Sequence, residues 1–507
     1  MVLARAGAVV GAVTLAVVLL SGGTGTDSRT PAALPGLPPP FLGVAVLGSG
    51  GRAEAIDAYG DVVGRWAPGP AGQSLIPNPP ERQAAGSVPA NTGIVARMRI
   101  GRSRLPLWRA DSVTQRYVPG SNVLRTRARI DSRTVEVVRA VGARSLECVV
   151  GASTCLEPAM KAAASADRRW LARARTLNAA APRWTRAMYR RSLLVLRALT
   201  DRRTGAVAAG PREGWAYVWP RDASAVAMAL ASAGYEPEAR RIVRFLERLD
   251  LDAAARFHGT GEAVDGRLAQ GDALGWVAAA ARAAGATRDR AEPPAADGSS
   301  PATSWEGLAD YQEGDSGDFL GNAVAAAAAV PPGPTRQRSE VATRARFGTQ
   351  AGLTRSADEP DSGLDSAAAW AVRPFPQPGL FPLVRRTLLT LAAHSGRFGI
   401  VPSRGWEGGI DPWTAPTAWS AWSLATLARM EQVRSPHASR RDRQAALRLM
   451  AELRRAATPT GLLPERVDAR TGIPRSTTPL AWSHAFAILA LRQLWPGARQ
   501  RNSWKRR

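Results

Sequence analysis

The sequence predicts a mainly α-helical protein with a small antiparallel β domain in front of the helices. Three observations predict it. Residues 41–150 alternate apolar and polar side chains between Gly, Pro, Asp and Asn punctuation, which is the period of half-buried strands. From about residue 160 the pattern changes to Ala-rich stretches with apolar residues three and four apart, the period of amphipathic helices. The length, 507 residues, suits one large helical barrel with a smaller module, at roughly 100–200 residues per ordinary domain.

The elements follow in chain order. Met1–Leu20 carries Arg5 and an apolar run from Ala6 to Leu20, followed by Ser21-Gly22-Gly23-Thr24-Gly25. A short basic start, an apolar stretch and small residues describe a secretory signal, with an uncleaved anchor as the alternative. Residues 1–25 are therefore assigned as signal peptide or N-terminal anchor, and the protein is placed outside the cell or anchored facing outward. Residues 26–40 are rich in Pro, Gly, Ser and Thr and read as a linker. Residues 41–160 form the β-rich domain, with strand patterns at 43–47, 93–100, 123–130 and 134–138; one solvated and one buried face argue a sandwich. A helical linker covers 161–180. Residues 181–498 form the helical domain, with amphipathic stretches at 190–200, 223–233, 236–249, 272–285, 319–330, 381–394, 414–433, 440–457 and 480–494. The runs 286–303 and 331–363 are rich in Pro, Gly, Asp and Ser and read as loops. A basic tail, 499–507, ends the chain.

Composition excludes several classes. Hydrophobic residues at 45% and charged residues at 21% are those of a folded globular chain. Beyond the N-terminus no uncharged apolar run reaches 18 residues, which excludes a polytopic membrane protein. The net charge is +25, from 67 basic and 42 acidic residues. Lys161 and Lys505 are the only lysines, and the arginines are dispersed. A nucleic-acid binder concentrates its charge and interleaves aromatics, so no nucleic-acid partner is expected. The N-terminal segment and the tail remain the two places for association with a membrane or an anionic surface. The two cysteines, Cys148 and Cys155, exclude a cysteine-built zinc site. In an oxidising compartment they are expected to pair and close a small loop. No phosphate loop, GxSxG elbow, HExxH or dinucleotide fingerprint is present, and neither cofactor nor metal is expected.

Chemistry concentrates around tryptophan. Aromatics make up only 6% of the chain, yet 16 of them are Trp. Several stand beside acids, arginines and glycines at helix starts: Trp215-Ala216-Tyr217-Val218-Trp219-Pro220-Arg221-Asp222, Ser304-Trp305-Glu306, Arg404-Gly405-Trp406-Glu407, Asp411-Pro412-Trp413 and Ala481-Trp482-Ser483-His484. Sugars present apolar ring faces rimmed by hydroxyls, so a sugar site wants flat aromatic walls next to charged hydrogen-bonding groups. Glycoside hydrolysis needs two carboxyl groups. Asp222, Glu306, Glu407, Asp411 and Glu465 all adjoin these clusters, and composition does not choose among them.

A resemblance does choose. Gly214 to Asp222, followed by an Ala-rich helix and Gly234-Tyr235, resembles the first substrate-binding motif of glycoside hydrolase family 15, the glucoamylases and glucodextranases. Gln270-Gly271-Asp272 is similar to the family's Q-x-D helix, and Ser304-Trp305-Glu306 to its general-acid loop. Arg404 with Gly408-Gly409-Ile410-Asp411-Pro412-Trp413 resembles its Arg loop and G-G-N-P-W turn. Gly461-Leu462-Leu463-Pro464-Glu465 with Thr478 to His484 is similar to its general-base segment. The five occur in family order along 204–490, and the N-terminal strands look like a shortened form of the β-sandwich of prokaryotic members.

The resemblance implies an (α/α)6 barrel with its site in the loops at one end, and exo-acting hydrolysis of α-glucosides with inversion. Its substrate would be an α-glucan, an α-glucooligosaccharide or trehalose. It implies Glu306 as general acid and Glu465 as general base. Arg221, Asp222 and Arg404 are then expected to grip the terminal sugar, with Trp219, Trp305 and Trp413 as walls. His484 is expected to be structural, packing behind the site. Two readings compete: a non-catalytic carbohydrate-binding protein on the same barrel, and a trehalase-type enzyme. One departure stands out, since Gly307 occupies the place where the family commonly has a second Glu after the acid. That loss implies weak dependence on the second sugar.

Overall fold

The computed structural model describes residues 34–69, 94–100, 103–142, 145–150, 157–212, 214–264, 266–286, 307–313, 317–330, 333–404, 406 and 409–497. The linker up to residue 33, the N-terminal segment and the basic tail lie outside them, as do Trp305, Glu306 and Cys155. No described helix is long and apolar enough to cross a membrane.

Among the described residues, nine antiparallel strands form the N-terminal part. β1 (Gly43–Gly48), β2 (Ala53–Asp57) and β3 (Val62–Trp66) make one sheet, and β4 (Arg97–Ile100) pairs with β5 (Ser103–Pro106). A four-stranded meander follows: β6 (Ser112–Tyr117), β7 (Leu124–Ile130), β8 (Arg133–Val141) and β9 (Ser145–Val149). β7 shows the alternation plainly: Leu124, Thr126, Ala128 and Ile130 are buried, while Arg127 and Arg129 between them are exposed. Val44 from the first sheet shares a core with Val113, Ile130 and Val137 from the last, and Ala45 and Ile56 share another with Leu124 and Val141, so the sheets pack face to face as a small sandwich. Cys148, in β9, is buried and disulfide-bonded. The linking helix α1 (Glu157–Ala172) starts inside the stretch assigned to the β domain.

The remaining helices form a double ring. α2 (Arg183–Leu199), α3 (Pro220–Ala233), α4 (Glu236–Leu246), α5 (Ala273–Ala283), α6 (Leu320–Ala329) and α7 (Pro334–Phe347) come first. A 3₁₀ segment (Ser366–Ala371), α8 (Phe381–Ala393), α9 (Thr414–Met430), α10 (Pro436–Ala456) and α11 (Ala481–Leu494) complete the chain. α3, α5, α6, the 3₁₀ segment, α9 and α11 touch in that order, and α11 closes back on α3. Against this inner ring α2 packs on α11, α4 on α3, α7 on α6, α8 on the 3₁₀ segment and α10 on α9. Among the described residues these are six inner and five outer elements, in the order of an (α/α)6 barrel. α7 corrects the sequence reading, which took 331–363 for a loop. Its buried residues are Thr343 and Phe347, too few to leave an apolar stripe.

The barrel axis is plugged. Trp276, Trp370, Trp419 and Phe486 meet edge-to-face in a closed circuit, with ring centroids 5.0, 5.3, 5.4 and 5.8 Å apart. Such pairs add stabilisation beyond the area they bury.

The β domain sits against the loops at one end of the barrel. Arg212 Nη1 donates to Phe41 O at 2.8 Å, and Thr458 Oγ1 to Val44 O at 2.9 Å. Gly43 and Gly64 allow the approach: a Cβ there would stand 2.9 Å from Thr478 O and 2.6 Å from Pro211 O.

Candidate active site

Beside the plug lies a cavity of about 620 Å³, and its walls are the starts of inner helices. Trp219 precedes α3, whose first turn, opened by Pro220, carries Arg221 and Asp222. Gln270 lies just ahead of α5, Trp413 immediately precedes α9, and Leu480 and Trp482 flank the start of α11. Four of the five motifs thus meet in one place although 268 positions separate Gly214 from Trp482. From the fifth, Glu306 and Trp305 lie outside the described residues. The segment that follows them, 307–313, contributes Ala309, Tyr311, Gln312 and Glu313 to the wall.

The inner end of the cavity is a buried charge cluster. Arg221 Nη1 donates to Gln270 Oε1 at 2.7 Å and to Asp272 Oδ2 at 3.1 Å, and its guanidinium lies 4.6 Å from the Trp482 ring centroid. Its Nε stands 3.6 Å from Asp222 Oδ1, beyond hydrogen-bond reach. Arg221 Nε and Asp222 Oδ1 have no hydrogen-bond partner although both are buried. Leaving such an atom without a hydrogen bond costs about 1–3 kcal/mol, offset here in part by the charge attraction between the two groups. Burial lifts the Asp222 carboxyl to about 7; Arg221 opposes the shift and Glu465 adds to it.

Glu465 is half-buried in the facing wall. Its backbone is fixed on both sides: Glu465 N donates to Thr477 O and Thr414 N to Glu465 O, each at 3.0 Å. Its carboxylate accepts from Trp215 Nε1 at 3.3 Å through Oε1 and from Ser476 Oγ through Oε2. These two donors fix the orientation of the carboxylate in the wall. His484 stands behind the same loop, accepting from Leu463 N through Nε2 at 2.9 Å and meeting Ser192 Oγ through Nδ1 at 2.9 Å. Burial pulls its pKa down to about 3, so it is neutral and structural, as the sequence suggested.

Trp219 and Trp413 line the cavity as expected. Arg404 does not. It is exposed, with its Cβ against Gly363 and its backbone N–H on Ser362 O at 3.1 Å. Asp411, one of the candidate acids, is held by Arg466 at 3.7 Å and Arg475 at 3.4 Å and accepts from Ala469 N at 3.2 Å. Those contacts give it a structural role.

The structure adds residues that the sequence did not single out. Trp406 and Trp482 complete the aromatic wall, with Trp406 meeting Trp413 edge-on at 4.3 Å. Both belonged to the tryptophan clusters, so the signal for them was present. Glu313 accepts from Trp219 Nε1 at 3.0 Å and pairs with Arg267, and no motif announced either member of that pair. Tyr311 donates its hydroxyl to Asp365 at 2.6 Å, while Arg355 grips Asp310 through two bonds of 2.8 and 3.0 Å. These contacts anchor 307–313. Among the described residues no cluster of His, Cys, Asp and Glu could hold a metal ion.

The family profile described as "Glycosyl hydrolases family 15" matches residues 184–258, the span that holds α2, α3 and the Trp215–Asp222 motif. No curated protein matches the chain by sequence. Among solved structures, a bacterial glucoamylase complexed with acarbose superposes with a TM-score of 0.59 at 11% identity, covering 92% of this chain and 96% of its own. A glucoamylase from Saccharomycopsis fibuligera gives 0.47 at 14% identity, covering 61% of this chain and 94% of its own. The glucoamylase of Hormoconis resinae gives 0.48 at 13%, with 62% and 74% covered. The profile match is confined to 184–258, and the likeness over nearly the whole chain is one of fold, shared with a glucoamylase.

Proposed function

We propose that the protein is an exo-acting hydrolase of α-glucosidic bonds that works with inversion, outside the cytoplasm. The observation that carries this reading is the placement of Glu465. Its carboxylate has an indole N–H and a hydroxyl as donors, and it faces the buried Arg221–Asp222 pair across the cavity that all three residues line.

In this mechanism Arg221 and Asp222 hold the terminal sugar, with Trp219 and Trp413 against its faces. Glu306 protonates the leaving oxygen, and Glu465 takes a proton from the water that attacks the anomeric carbon from the opposite side. Inverting pairs stand roughly 6.5–9.5 Å apart to admit that water. The disulfide at Cys148 supports an oxidising compartment. Glu306→Gln and Glu465→Gln are each expected to lower kcat by about 10²–10⁴-fold while substrate binding is kept. Near wild-type turnover in either purified variant removes the assignment.

A further inference from the structure

Among the described residues, three loops bring Glu465 and its two donors together, and all three rest on the sandwich. The first runs through 209–212 and 214–217. Ala209 N donates to Tyr217 O and Gly210 N to Trp215 O, each at 2.9 Å, and Trp215 N donates to Arg212 O at 3.1 Å. This loop carries the indole that reaches Glu465 Oε1. The second, 458–465, carries Glu465 itself, and at its start Thr458 Oγ1 and Thr460 Oγ1 both donate to Val44 O. The third, 476–480, carries Ser476, the donor to Oε2. Its Thr478 O lies so close to the sandwich that a Cβ on Gly43 would stand 2.9 Å away.

The first loop is held most firmly. Arg212 is buried, and its Nη1 donates to Phe41 O at 2.8 Å. A Cβ on Gly64 would stand 2.6 Å from Pro211 O and 2.9 Å from Arg212 Cγ. Phe41 is itself fixed. Its N–H donates to Asp57 Oδ2 at 2.7 Å, and its buried ring meets Trp108 edge-on at 5.3 Å. Asp57 in turn accepts from Tyr59 N and Asp61 N, each at 2.8 Å. Phe41 has φ +64°, a left-handed conformation that a bulky residue keeps only where its surroundings hold it there. The sandwich therefore maintains a strained residue at the point where its carbonyl takes Arg212.

We propose that Arg212 is a positioning residue for the reaction. Seated on Phe41 O, it fixes the loop that aims Trp215 Nε1 at Glu465, so that the sandwich holds the general base in place against the water it activates. The inference rests on the function proposed above. A misplacement of about 1 Å can cost up to about 10²-fold in rate. The grip on the terminal sugar is anchored elsewhere, since Arg221 is held by Gln270 and Asp272.

α-Glucosyl fluoride isolates the step that depends on the base, because fluoride leaves without being protonated. The water oxygen bonds the anomeric carbon as the C–F bond breaks, and Glu465 takes the proton. In the full-length protein, Arg212→Met is expected to lower kcat on this substrate by about tenfold, with KM and inhibition by glucose within about twofold of wild type. Arg212→Lys, which keeps a donor, is expected to recover part of that loss. Val138→Ala, in the cluster packed between the sandwich and α1, is the control: its Tm is expected to fall while kcat well below that temperature is kept. Wild-type kcat in Arg212→Met, or a rise in KM alone, overturns the inference. An equal loss of kcat in Val138→Ala overturns it too, because the effect is then one of stability. Arg212→Gln is judged by the same readings if Arg212→Met does not fold. No fluoride release by the wild type overturns the hydrolase reading and this inference with it.

Discussion

Ser476 Oγ and Trp215 Nε1 both donate to the Glu465 carboxylate, and a general base must be ionised to work. A donor on each oxygen also fixes where the carboxylate points. Ser476→Ala is expected to lower kcat by about tenfold with KM little changed, because a hydrogen bond to a charged group is worth about 1.5–3 kcal/mol and water partly replaces the hydroxyl between these half-buried residues. Wild-type kcat in that variant contradicts the role given to Glu465. The sequence carried this site unevenly. Trp219, Arg221, Asp222 and Trp413 could be placed in one wall because each sits in a short motif next to a helix start, whereas Glu465 lies in the loop before α11 and was picked out by its Gly-Leu-Leu-Pro-Glu motif. Arg404 lies outside the cavity lining, on an exposed stretch whose backbone and Cβ meet 362–363, a contact between segments that no local pattern encodes. Glu313 was missed for the same reason, since its partners Arg267 and Trp219 are 46 and 94 positions away.

At the scale of elements, the inner ring depends on close helix approach and on buried acids at helix starts. A Cβ at Gly275 in α5 would stand 2.4 Å from Ala325 O in α6. Gly275→Ala is therefore expected to push the two helices apart and to cost about 1–3 kcal/mol by denaturant titration; an unchanged midpoint would show that the contact yields freely. Asp365 caps the 3₁₀ segment through Ala367 N at 2.9 Å and accepts from Tyr311. Burial raises its carboxyl to about 7. The folded pKa exceeds the ordinary value, so its contribution is fully present below about pH 4 and is lost as pH rises through 7. Asp365→Asn keeps one acceptor oxygen and cannot ionise. The difference in Tm, variant minus wild type, is expected to grow in the variant's favour between pH 4 and 8, and a difference independent of pH refutes the shift. Helix legibility followed burial. α3, α9 and α11, buried almost throughout, and the amphipathic α4 and α10 were all visible in composition or period. α7 was hidden because it opens on Gly333-Pro334 and shows the core little beyond Phe347.

The molecule as a whole is a sandwich set against the loop end of a barrel. β1 belongs to both, since Val46 packs in the barrel core while Val44 packs in the sandwich and its carbonyl accepts from Thr458. Domains joined by shared core residues and buried hydrogen bonds are expected to melt together, in one calorimetric transition. Two separated transitions would show that the sandwich is independent. The two-part architecture was legible because the period changes from two to 3.6 near residue 160. The seating of one part on the other was not, because it depends on the bare backbones of Gly43 and Gly64 meeting loops from far along the chain. The central claim concerns the reaction, with water delivered by Glu465 to the face opposite the leaving oxygen. Proton NMR of the first turnovers on an α-linked glucoside tests it most directly. β-Glucose appearing before mutarotation is the predicted result, and α-glucose as the initial product would contradict the account.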